Sequence, residues 1–296
     1  MARGEEGVSR AAWITLVAMT LALSMILVDQ TAVQLAAPHV IDSLGGNIDE
    51  SQWILTANVL PLAAFMVLGG RLGDLLGLRR IFLLGSLVFG VATALAGSAQ
   101  DMPWMIAARA AQGTGAALMM PTAVAIVSAV FPSSRRGSAL GILAGASAFF
   151  AALGPVLGGL LTSIDWRLVF LINVPLAAAT VLLTLAATPR LDPDPDAERR
   201  IDFPGLITFA IGIGALVFGL SQGQADGWDG AGTLIPLVGG AIALALFVII
   251  ELRVKVPLLN SGCSDTSTSS QPTSARPSPA RSSSDWGSCS PSICCS

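Results

Sequence analysis

Gly154-Pro155-Val156-Leu157-Gly158-Gly159 lies in the middle of an apolar stretch spanning residues 138–162. In the interior of a water-exposed helix, a proline costs about 3 kcal/mol and each glycine about 1 kcal/mol relative to alanine. In lipid the backbone must pair within its own segment, and such residues are tolerated where neighbouring helices satisfy the freed groups. Small residues also let two membrane helices approach closely. The run therefore predicts a transmembrane helix with a proline-weakened centre beside a flat face, an arrangement suited equally to a hinge or seal and to a structural proline in a tightly packed helix.

Composition extends that reading to the rest of the chain. Hydrophobic residues make up 53% and charged residues only 12% of the 296, with a mean hydropathy of +0.72, whereas soluble domains carry about 25% charge. A bilayer core needs about 20 apolar residues per helix. Eight stretches qualify: 12–34, 52–70, 80–98, 104–130, 138–162, 168–188, 204–222 and 233–251. They lack the apolar/polar alternation of a membrane barrel, so the predicted class is an all-α integral membrane protein.

Basic residues set the expected orientation, because short cytoplasmic loops retain Lys and Arg. Arg3 and Arg10 precede the first span, and Arg71, Arg79 and Arg80 join the second to the third. Arg135 and Arg136 join the fourth to the fifth, and Arg190, Arg199 and Arg200 the sixth to the seventh. Arg253 and Lys255 follow the eighth, and the opposite loops carry only Arg167. Both ends of the spanning region are thus predicted cytoplasmic in a multi-pass plasma-membrane protein, with the first span kept as an uncleaved helix. The divisions expected are a cytoplasmic N-terminus (1–11), a six-helix bundle (12–188), a polar linker (189–203), two further transmembrane helices (204–251), a cytoplasmic segment (252–260) and a serine-rich tail (261–296).

Ionisable residues within spans mark functional sites. Asp29 lies about 26 Å along the outward-climbing first helix, and Arg109 about 8 Å into the descending fourth. The two are therefore expected at one depth, where they can pair, and protonation of the carboxylate would release the guanidinium. The alternative has Asp29 solvated at the interface, ending its helix. Gln112 is one turn from Arg109, with Gly113 and Gly115 following. In the turn between the second and third spans, Gly70, Asp74, Gly77, Arg79 and Arg80 place an aspartate among arginines. Arg79 opposes the dipole at the start of the third helix, so Asp74 is its expected partner.

Little points to an enzyme. His39, at a helix end, is the one histidine, and the four cysteines (263, 289, 294 and 295) are confined to the tail in no zinc-binding pattern. No phosphate loop or nucleophile elbow is found. No cofactor, metal or nucleic-acid partner is expected.

Taken in order, these segments resemble the major facilitator superfamily, and specifically its fourteen-helix drug/proton antiporter branch. The stretch from Leu27 to Pro38, containing Asp29, Thr31 and Gln34, is similar to the branch's first-helix motif. Gly70 to Arg80 resembles the superfamily loop motif, Arg109 to Gly115 the fourth-helix motif, and Gly154 to Gly159 the antiporter motif. Asp165 to Pro175, with Asn173, resembles the start of the sixth helix, while Gly219 to Trp228 and Glu251 to Pro257 resemble the branch's two extra central helices.

The resemblance implies an N-terminal six-helix bundle of the major facilitator fold plus two further helices, exporting amphiphilic or cationic organic compounds across the lipid bilayer. Protons entering through Asp29 and Arg109 would drive export, with Thr31, Gln34 and Gln112 in the substrate cavity. The glycines, Asp74, Arg79, Arg80, Pro155, Asn173 and Pro175 would belong to the conformational motifs. Three departures stand out. Leu75 and Leu78 replace basic residues, Phe150 replaces a glycine, and the segment from Thr31 to Gln34 lacks an asparagine. After Leu259 the family continues with six more helices, where this chain has its Ser/Cys/Pro tail, so the second half is expected to be missing, as after a frameshift. Three readings remain: a proton-coupled exporter by descent, a non-transporting fragment, or a homodimer of half-transporters. Within transporters a metabolite or sugar symporter is the alternative, disfavoured by the antiporter motif.

Overall fold

The structure, a computed structural model, describes residues 8–191, 203–226, 228 and 230–253. Most of the expected linker and the whole cysteine-bearing tail lie outside the described residues. Helix α1 spans Arg10–Leu44, opened by Ser9 Oγ accepting from the Ala12 N–H at 3.1 Å and closed by Gly45 at φ 70°. Helix α2 (Ile48–Leu76) starts on a reciprocal Asn47–Glu50 capping box and ends at Gly77, whose φ of 99° permits the immediate reversal into α3 (Leu78–Gly97). Asp101 caps α4 (Met102–Val130), and α5 follows over Ser133–Thr162.

The sixth span is in two pieces, α6 (Arg167–Leu171) and α7 (Asn173–Ala187). Pro175 accounts for the break, since it has no N–H for the Leu171 carbonyl and its ring crowds that oxygen. Helices α8 (Phe203–Asp226) and α9 (Ala231–Arg253) complete the described residues. Among the described residues, seven helical segments are long and apolar enough to cross a membrane, and in α8 the apolar stretch is the shorter Ile207–Gly223.

The structure corrects the first span. Rather than ending near residue 34, α1 runs through Pro38 to Leu44, because Ala36, Ala37 and Val40 remain buried against the bundle. The reading in which Asp29 ends its helix falls with it.

Helices α1 and α4 are the most buried. The closest pairings are α2 with α4, α1 with α5, α3 with α4, and α8 with α9. The helix pair α8/α9 meets the bundle through α2, where Thr56 Oγ1 and Ser221 Oγ lie 2.8 Å apart and Trp53 contacts Phe218.

Helices α3 and α6/α7 cap each other with arginines. Arg79, at the start of α3, donates from Nη2 to the Leu185 carbonyl at the end of α7 (2.9 Å). Arg167, at the start of α6, donates from Nη1 to the Gly97 and Ala99 carbonyls at the end of α3 (3.0 and 2.7 Å) and stacks on Trp166. The last carbonyls of a helix have no partner of their own, which explains both contacts. For Arg79 the structure gives a bond to the Leu185 carbonyl, an acceptor to which the dipole argument did not point, and Asp74 is exposed near the end of α2. Replacing Arg167 with alanine is expected to lower stability by about 1.5–3 kcal/mol, the range for hydrogen bonds to a charged group. The denaturation midpoint in detergent reads this directly, and Arg167→Lys should restore only part of it, because an ammonium lacks the planar guanidinium that stacks on Trp166.

Candidate functional site

The bundle interior is apolar at both ends and polar between. One cluster gathers Met19, Met25, Ile26, Phe82, Phe89, Met119 and Ile126, and another Val33, Val40, Ile54, Ala96, Met105 and Phe170. The residues falling between them in register are Asp29 on α1, Thr93 on α3, Arg109 and Gln112 on α4, and Asn173 on α7. Each is at most 1% exposed.

They form one connected network. Arg109 Nη1 donates to Asp29 Oδ2 and to Gln112 Oε1, both at 2.6 Å. Its Nε donates to the Ile54 carbonyl at 3.0 Å, and its guanidinium lies 5.8 Å from the Phe170 ring centroid, within cation–π range. Gln112 Nε2 donates to Asp29 Oδ1 (3.0 Å) and Thr93 Oγ1 (2.9 Å). Asn173 Nδ2 donates to Asp29 Oδ1 at 3.2 Å. A charge in hydrocarbon is costly unless paired and hydrogen-bonded, and here every contact at the carboxylate is a donor.

Thr31 sits elsewhere, in the seam between α1 and α5. Pro155 has no N–H for the Ala151 carbonyl, and the Thr31 hydroxyl, 3.2 Å from that oxygen, approaches it from α1. The same hydroxyl lies 3.2 and 3.1 Å from the Leu27 and Val28 carbonyls of its own helix. A Cβ on Gly154 would collide with Thr31 Oγ1, and one on Gly158 would fall 2.7 Å from Ala32 Cα. Helix α5 continues through Pro155. Gly159 has only ordinary room toward Leu35, as Gly70 has toward Pro121.

Gly113 meets the Asn58 backbone and Gly115 lies against Phe89 N, so α4 is held tightly to α2 and α3. Gln34, Asp74, Arg80 and Pro175 are exposed. Of the residues expected in a cavity, Gln112 joins the buried network, Thr31 lies in a helix seam and Gln34 faces outward.

Sequence reasoning missed Thr93, Phe170 and the Ile54 carbonyl. A hydroxyl between Phe89 and Ala96 on an apolar face was the available signal for Thr93. A backbone acceptor leaves none.

Residues 19–252 match the sequence profile of the Major Facilitator Superfamily. The chain belongs to the major facilitator superfamily. It is 36% identical over 261 residues to puromycin resistance protein pur8 of Streptomyces alboniger, covering 87% of this chain and 51% of that protein. It is 34% identical over 254 residues to multidrug resistance protein Stp of Mycobacterium tuberculosis (strain CDC 1551 / Oshkosh), covering 85% and 47% respectively. The chain thus spans about half the length of the curated relatives it matches.

The fold is shared with a peptide transporter POT (E310Q mutant, in complex with sulfate), at TM-score 0.61 and 18% identity over 86% of this chain and 54% of that one. It is also shared with a bacterial homolog of the human lysosomal transporter Spinster in an inward-facing, occupied conformation, at TM-score 0.51 and 20% identity, covering 86% and 64%. In this superfamily member the polar layer lies inside the six-helix bundle, between its two apolar clusters.

Proposed function

We propose that this chain carries the proton-coupling bundle of a drug/proton antiporter that exports amphiphilic or cationic organic compounds across the plasma membrane. The observation that carries the reading is the buried Asp29–Arg109 pair, enclosed by donors and sealed above and below by apolar side chains. The names of the relatives, a puromycin resistance protein and a multidrug resistance protein, support the substrate class. The basic-residue pattern supports cytoplasmic ends.

A proton arriving at Asp29 removes the negative charge and adds a donor where three donors already converge. At least one bond must then break. Asn173 Oδ1, which has no partner in this arrangement, can receive the new proton if the amide turns over. Arg109 keeps Ile54 O and Gln112 Oε1 but loses its counter-ion, and a buried unpaired guanidinium favours any helix arrangement that hydrates it. Deprotonation toward the cytoplasm restores the pair. Alternating access in this superfamily rocks two six-helix halves about a midplane site. A second bundle, or a second copy as a homodimer, completes that geometry.

The test uses the purified chain in vesicles with an acidic interior and a trapped pH-sensitive dye. Adding ethidium outside is expected to draw protons out, and the response should vanish with Asp29→Asn. Ethidium uptake that persists with a protonophore or in the Asp29→Asn chain would defeat the coupling assignment.

A further inference from the structure

At the basic end of the bundle, the start of α3 and the end of α7 enclose a cavity of 320 Å³ lined by Arg79, Arg80 and Arg190 together with Leu76, Leu83, Leu185 and Leu191. That is roughly ten times the share of liquid volume held by one water molecule, about 30 Å³. No carboxylate is among the described lining residues. One guanidinium is already fixed in place, because Arg79 Nη2 holds the Leu185 carbonyl at 2.9 Å. Its Nε is buried with no hydrogen-bond partner. Arg80 and Arg190 are exposed at the rim, and Leu76 and Leu185 are each 51% exposed beside them.

Three guanidiniums around one pocket repel one another unless an anion sits between them, and a fork of N–H donors matches phosphate oxygens. Exposed leucines beside the charges match an acyl chain and exclude a freely soluble anion as the best fit. We infer that this pocket is a binding site for an anionic phospholipid, its phosphodiester between Arg79, Arg80 and Arg190 and its chains along Leu76 and Leu185. Basic pockets between transmembrane helices on the positively charged side bind such headgroups. Because Arg79 joins the α2–α3 reversal to the end of α7, a lipid there would brace both. The assignment stands apart from the transport reading, since it concerns binding alone.

The test measures the thermal midpoint of the detergent-solubilised full chain as phosphatidylglycerol is added, with phosphatidylcholine of the same acyl chains and inorganic phosphate as separate arms. Phosphatidylglycerol is expected to raise the midpoint at concentrations where the other two do nothing. Arg80→Gln and Arg190→Gln should each weaken the response about fivefold, as follows from the contribution of one basic residue near an anionic surface, and together about thirtyfold. Arg135→Gln/Arg136→Gln, at the same basic end but outside the pocket, should respond like the parent chain. Native mass spectrometry should show a retained phosphatidylglycerol in the parent and control chains and its loss in the double pocket variant, independently of any change in fold stability. An equal response in parent and pocket variants, an equal loss in the control, or the same stabilisation by inorganic phosphate would each overturn the assignment.

Discussion

Replacing Asp29 with leucine is expected to destabilise the bundle by about 3–5 kcal/mol, the cost of leaving one member of a buried ion pair without its partner. Arg109 is 1% exposed, so its charge is cut off from bulk solvent. The Ile54 carbonyl and Gln112 Oε1 still receive its N–H groups, but neither supplies a negative charge. Adding Arg109→Met to the same chain should recover part of the loss, since replacing both partners by apolar groups of similar volume is often close to neutral. Recovery will be incomplete by about 1–3 kcal/mol, because the Gln112 and Asn173 amides lose their shared acceptor, Asp29 Oδ1. Denaturation midpoints of the two single variants and the double variant give the coupling energy directly. Strictly additive losses would show that the two charges do not interact.

A second large effect is expected from two alanines on one helix. At Gly158 a Cβ would sit 2.7 Å from both Ala32 Cα and the Ala32 carbonyl oxygen. Backbone atoms cannot rotate away, so α1 and α5 must separate, at an overpacking cost of about 1–3 kcal/mol. At Gly145 nothing lies within 4 Å, and Gly145→Ala should stabilise by about 0.5–1 kcal/mol through the lower helix entropy cost of alanine. Opposite signs for the same chemical change on α5 would locate the close contact at the α1 seam. Matching signs would refute the seam geometry.

The pairing of Asp29 with Arg109 was legible because helical rise per residue puts the two at similar depth from opposite faces. The antiporter-like run was legible as a packing face, yet its detail was not. Only the fold shows that the carbonyl freed by Pro155 is approached by a hydroxyl from another helix. Asn173 read as part of a conformational motif, and its contact with the carboxylate depends on how α7 rotates after the break at Ile172. The Leu185 acceptor of Arg79 lay outside local reasoning for a related reason. The helix dipole at Arg79 and its nearest acidic neighbour were visible in sequence, whereas the uncapped end of α7 beside it is a tertiary fact. Past residue 34, the loss of continuous hydrophobicity ended the predicted first span, but a helix can continue on one buried face, as Ala36, Ala37 and Val40 do here.

The central claim is that Asp29 takes up and releases the proton within the polar layer. Infrared difference spectroscopy of the chain in bilayers, stepped from alkaline to acid, tests it most directly. The account predicts a protonated-carboxyl C=O band that grows on acidification, disappears in Asp29→Asn and is altered in frequency by Asn173→Ala, which removes an amide bonded to that carboxylate. An acid-induced carboxyl spectrum identical in the parent chain and in Asp29→Asn would contradict it.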